Sequence, residues 1–100
     1  MANLFVTEFD QAHIQAGVAT PVANVMQQVE QTPIAIAGAS AQSAAFGANT
    51  RLVRVHAGAI CSIAFGANPT ATTNNMRLSA DQTEYFAVVP GMKIAVISNT

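Results

Sequence analysis

From Arg51 to Ser98 the chain alternates apolar and polar residues in short runs, most of them closed by glycine, proline or asparagine. In "RLVRVHA" (Arg51–Ala57), Val53 and Val55 fall on one face while Arg54 and His56 fall on the other. In "AICSIAF" (Ala59–Phe65), Cys61, Ile63 and Phe65 share a face and alternate with Ser62 and Ala64. A period of two belongs to a strand with one side against a core. A shorter run, "MRLSA" (Met76–Ala80), follows, and then "TEYFAVV" and "MKIAVIS" flank Pro90-Gly91. That dipeptide suits the centre of a type II turn. Met92, Ile94 and Val96 then point inward and Lys93 away. Gly58 lies between the first two runs, which predicts a tight hairpin with positive φ at the glycine. Such short strands joined by turn residues predict an all-β fold, an antiparallel β-sandwich or barrel of jelly-roll-like type.

The first half is looser. "NLFVTEF" (Asn3–Phe9) is strand-like, with Phe5 and Phe9 on one face around Thr7. A short β run at Ile34–Ala37 is entered through Pro33 and left through Gly38. Between them, Val25, Met26 and Val29 would share a helical stripe, but Pro21 and the scattered valines fit an extended segment better. The chain therefore divides into an N-terminal strand and extended arm over 1–33 and a β-sandwich core over 34–100, within one domain.

One word occurs twice: Ala-Phe-Gly-Ala-Asn at Ala45–Asn49 and again at Ala64–Asn68. The spacing is too short for two copies of a folded unit. A strand-end device used twice explains it, with Phe46 and Phe65 plugging the core. In that reading Gly47 and Gly66 bend the chain and an asparagine takes the left-handed conformation. The second copy opens into "NPTATTNN", which reads as the most exposed surface loop.

Charge narrows the function. Only 9% of the residues are charged, against roughly 25% in an ordinary soluble domain. A surface of Ala, Thr, Ser, Asn and Gln points to an exterior covered by partners. Net charge is −1, which leaves no basic footprint for nucleic acid. No apolar run reaches the roughly 18 residues of a membrane helix, and "MANLFVTEFD" lacks the basic start of a signal peptide. Residues 1–50 hold no Lys or Arg, so the halves differ in sign, a pattern suited to neighbour-to-neighbour contacts.

Catalytic constellations are missing from the pattern. Gly47 and Gly66 stand alone with no Gly-Lys-Ser behind them, unlike a phosphate loop. His13 and His56 are far apart and Cys61 is a single thiol on an apolar face, which suits an inert core cysteine. Asp81 and Glu84, three apart, could form a carboxylate pair, but Ser79 and Asp81 read more simply as turn residues between two strands. No catalytic, cofactor-binding or metal residue is expected. Arg54 is expected to pair with Asp10 or Glu30 across an interface.

The run "TRLVRVHAGAICSIAFGANPTATTNNMRLSADQTEYFAVVPGMKIAVIS" resembles a group of small proteins encoded beside structural genes in tailed-bacteriophage genomes. The likeness rests on Arg51 and Arg54 with "HAGAIC", on "AFGANPTAT", "QTEYF" and "PGMKIAVI", and on "MANLFVTEF" and "SAQSAAF". It implies a structural virion protein, similar in size and β-content to capsid decoration (cement) proteins, made in the host cytoplasm and residing on the capsid surface. The partners so implied are the major capsid protein and copies of the chain itself, as a trimer or a dimer. A head-fibre, connector or tail-tip subunit is the alternative. The contact residues expected are Leu4, Phe5 and Phe9 in the arm, with Arg51, Arg54 and Arg77 for polar pairing.

Overall fold

The computed structural model describes residues 2–10, 12–15, 18–23 and 29–100. Its strands are β1 (Asn3–Phe9), β2 (Ala12–Gln15), β3 (Val18–Ala23), β4 (Val29–Glu30), β5 (Ile34–Ala35) and β6 (Ala41–Gln42). They continue as β7 (Leu52–Ala57), β8 (Cys61–Gly66), β9 (Met76–Leu78), β10 (Thr83–Ala87) and β11 (Lys93–Ser98). The expected all-β fold is what forms: two antiparallel sheets packed as a sandwich.

The first sheet runs β10-β7-β1-β4, with β5 also pairing β1. The second runs β6-β11-β8-β9, and β2 pairs with β3 as a separate ladder. Three of the four connections in the second half (β7 to β8, β9 to β10 and β10 to β11) cross from one sheet to the other, while β8 and β9 pair directly. The first of these crossings corrects the hairpin expected at Gly58. β7 and β8 lie in different sheets, and Gly58 serves as a corner between them. A Cβ on Gly58 would stand 2.9 Å from the carbonyl oxygen of Asn3. Glycine is required there by close approach, because the Gly58 N–H donates to that same oxygen at 3.0 Å.

The period-two pattern becomes two inner faces. Leu4, Val6, Val53, Val55 and Ala57 from the first sheet meet Cys61, Ile63, Leu78, Ile94 and Val96 from the second in one buried cluster. Leu4, Val53, Val55, Ile94 and Val96 have no exposed area. Burying each side chain of this size contributes about 1.5–3 kcal/mol. Phe46 joins the same cluster. Phe65 packs beside it against Phe86, with ring centroids 5.0 Å apart.

β1 changes the expected division of the chain. It lies between β7 and the β4/β5 edge, so residues 3–9 form an inner strand of the sandwich and a boundary at residue 33 does not separate arm from core. Within the rest of that segment, β2 and β3 pair with each other. Val25 and Met26, which carry the helical alternative, lie outside the described residues.

The repeated word is used in two ways, neither of them left-handed. Among the described residues positive φ occurs at Asp81 (62°) and Gly91 (85°). Gly91 completes the expected Pro-Gly turn, where Met92 N–H donates to the Val89 carbonyl at 3.4 Å. In the first copy, the Gly47 N–H donates to Glu8 Oε1 at 2.9 Å. In the second copy, Asn68 Oδ1 accepts from Gln42 Nε2 at 2.8 Å.

Candidate interaction face on the first sheet

Antiparallel register sorts the outer side of the first sheet into rows. Phe5 lies opposite His56, and His56 opposite Thr83. One row along, Thr7 lies opposite Arg54, which is opposite Tyr85. Glu30 faces Thr7 from the other side. Partners in such a ladder share a face, so Phe5, His56, Arg54 and Tyr85 form one continuous patch. Phe5 is 43% exposed and Tyr85 54%. A groove of about 420 Å³ runs between Phe5, Thr7, Glu30, Pro33, Arg54 and His56.

The patch is held in shape locally. His56 Nδ1 and Thr83 Oγ1 are hydrogen-bonded at 2.7 Å, and Nε2 stands 3.9 Å from the Asp81 carboxylate. The His56 ring lies 6.4 Å from that of Phe5 at a tilt of 46°. Thus the imidazole is wedged between an aromatic ring and a hydroxyl, with a carboxylate at its far edge.

Of the residues expected to make contacts, the fold brings Phe5 and Arg54 together on this face. Leu4 is fully buried and Phe9 is 5% exposed, so neither offers a side chain to a partner. Both are corrected from contact residues to packed ones: parity turns Leu4 inward, and Phe9 is enclosed on the opposite side. Arg51 is exposed at the head of β7 and donates to the carbonyls of Ala48 and Thr50. Arg77 lies apart, on β9 of the second sheet. Tyr85 and His56 were missed as contact residues. The signal for them was the same alternation that turned Val53 and Val55 inward.

The second sheet has no comparable outer face. Ser62 and Ala95 point outward by parity, yet neither has exposed area. The "NPTATTNN" loop lies over them: Asn68, Thr70, Thr72, Thr73 and Asn74 are exposed on its outer side, while Pro69 and Ala71 are buried beneath it. Gln42 Nε2 donates to the Pro69 carbonyl at 2.7 Å, the Ala71 N–H donates to Ser40 Oγ at 2.9 Å, and Asn99 Nδ2 donates to Ser62 Oγ at 2.7 Å. Asn99 also reaches the Thr73 carbonyl, and Ala71 is 2% exposed.

The buried acid has a structural task. Glu8 is 4% exposed and follows Leu4 and Val6 on the inner parity of β1. Its Oε1 accepts from the Gly47 N–H and, at 2.7 Å, from Thr50 Oγ1. Its Oε2 accepts from Gln31 Nε2 at 2.9 Å, and Gln31 Oε1 in turn accepts from the Ala44 N–H. A buried carboxylate needs donors of this kind, and these tie the loop before β7 to β1. Cys61 is enclosed within the core, and burial pushes its thiol pKa up. The neutral thiol is therefore the stable form, and it stands in the core while His56 stands on the outer face.

No protein-family model matches the chain, and no curated protein or solved structure matches it significantly.

Proposed function

We propose that this chain is a structural virion protein of the decoration type, one that stabilises a tailed-phage head by bridging major capsid subunits. The observation that supports this most is the outer face of the first sheet, where exposed Phe5 and Tyr85 flank Arg54. Aromatic residues and arginine are the types enriched where proteins bind one another, and lysine and acids are depleted there. The work is mechanical: burying area against a neighbour makes separation of that neighbour costly. A standard interface takes about 800 Å² from each partner. The chain exposes 5498 Å², leaving room for several such contacts per copy.

The test is to add the purified chain to tailed-phage heads assembled without it from major capsid protein. The expected result is a fixed copy number tied to capsid symmetry and a higher temperature of head disruption. A Phe5→Ser/Arg54→Glu double variant should bind weakly and restore the lower temperature. Wild-type chain that fails to bind such heads overturns the proposal.

A further inference from the structure

Among the described residues the two sheets of the sandwich have four edges between them, and three of these are blunted. The β4/β5 edge is two strands of two residues interrupted by Pro33. On the second sheet, β6 has two residues and β9 three. The remaining edge, β10, is five continuous residues without proline. Natural sheets shorten, charge or cover an edge that is to stay unpaired. Apart from the single charge of Glu84, this one is left open.

Register tells which backbone groups are free. The Ala57 N–H donates to the Gln82 carbonyl and the Val88 N–H to the Arg51 carbonyl. Residues of even number from 82 to 88 therefore face β7, and Thr83, Tyr85 and Ala87 turn their N–H and C=O outward. Among the described residues, β7 is the strand that pairs with β10.

We propose that β10 pairs antiparallel with β10 of a second copy, about a two-fold axis at Tyr85. In that register Tyr85 stands opposite the partner's Tyr85, and Thr83 opposite the partner's Ala87, each a hydrogen-bonded pair. Glu84 stands opposite the partner's Phe86, so no like charges face each other. The outer row across the axis then reads Arg54, Tyr85, the partner's Tyr85, the partner's Arg54. The self-complementarity of this five-residue strand selects a second copy as the occupant, since an isologous contact must match itself. Pairing consumes the edge, so it yields a dimer. A ring would need β10 to join the β4/β5 edge, which Pro33 interrupts. The inference concerns the isolated protein and does not depend on the virion reading.

Two measurements test it. Wild-type protein should have the mass of a dimer by sedimentation, and Tyr85→Pro should halve it. Proline at 85 removes an outward N–H and leaves the β7 ladder whole, as edge strands tolerate. Independently, Tyr85→Cys should form a disulfide-linked dimer on mild oxidation. Opposed residues in a hydrogen-bonded pair have Cα atoms about 5.5 Å apart, within disulfide reach. Thr83→Cys alone should cross-link far more slowly, being opposite the partner's Ala87. Cys61 is buried and does not compete. A monomeric wild-type protein overturns the proposal and assigns the edge to a foreign strand. So does a folded Tyr85→Pro dimer, or equal cross-linking by the two cysteine variants.

Discussion

The two sheets present nearly interchangeable inner faces and opposite outer ones. Inside, both supply alternate aliphatic residues with no exposed area. Outside, the second sheet lies beneath its own loop, pinned by Gln42, Ser40 and Asn99. The first sheet leaves Phe5 and Tyr85 in solvent with Arg54 and His56 between them. The loop between β8 and β9 covers the second sheet, whereas the loop between β6 and β7 is tied to β1 through Glu8. Two of the exposed large apolar side chains, Phe5 and Tyr85, therefore lie together on the uncovered side.

The largest effects should come where the sheets are alike. Leu4→Ala in the first and Ile94→Ala in the second should each cost about 2–5 kcal/mol, read by chemical denaturation. A negligible cost for Leu4→Ala would return residues 3–9 to an arm. Next comes the tie between β1 and the loop before β7. Glu8→Ala leaves the Gly47 N–H, the Thr50 hydroxyl and Gln31 without their acceptor, and should cost about 2–3 kcal/mol. Amide exchange at Gly47 should accelerate more than the global loss accounts for.

A smaller effect is expected at the covered face. Gln42→Ala removes the bonds to Asn68 and Pro69 and should cost about 1 kcal/mol. Its sharper signature is a rise in proteolysis within residues 67–75. If cleavage there stays slow, the loop is not what protects that face. Smallest of all for stability, Phe5→Ser should move the unfolding free energy by less than about 0.5 kcal/mol. Loss of head binding with that small a change would separate contact from folding, whereas a large destabilisation would make Phe5 a packed residue like Phe9.

Much of the fold was legible because alternation is a local signal. Val53, Val55, Ile94 and Val96 were placed inward by parity, and the Pro90-Gly91 turn by its own chemistry. The same pattern could not say which strands pair. Gly58 looked like a hairpin glycine because a hairpin and a corner between sheets need the same small residue. Neither close approach to Asn3 nor the sheet change is written in the local sequence. The candidate face was half legible. Phe5 and Arg54 were singled out, but Leu4 was placed outside and Tyr85 was overlooked. Parity within one strand is local, whereas the direction that faces solvent is settled by what packs on each side.

The repeated word shows the same division. Two identical pentapeptides bring the same glycine and asparagine to two different places, the loop between β6 and β7 and the end of β8. Glu8, from a strand distant in sequence, accepts from the first, and Gln42 donates to the second. By itself the sequence determined the β-strands, their inner residues, the turn at Pro90-Gly91 and the poverty of charge, because each follows from neighbours along the chain. Only the tertiary structure decided the sheet order, the covering of one face and the open edge at β10. Those depend on hydrogen bonds between residues that the chain brings together only on folding.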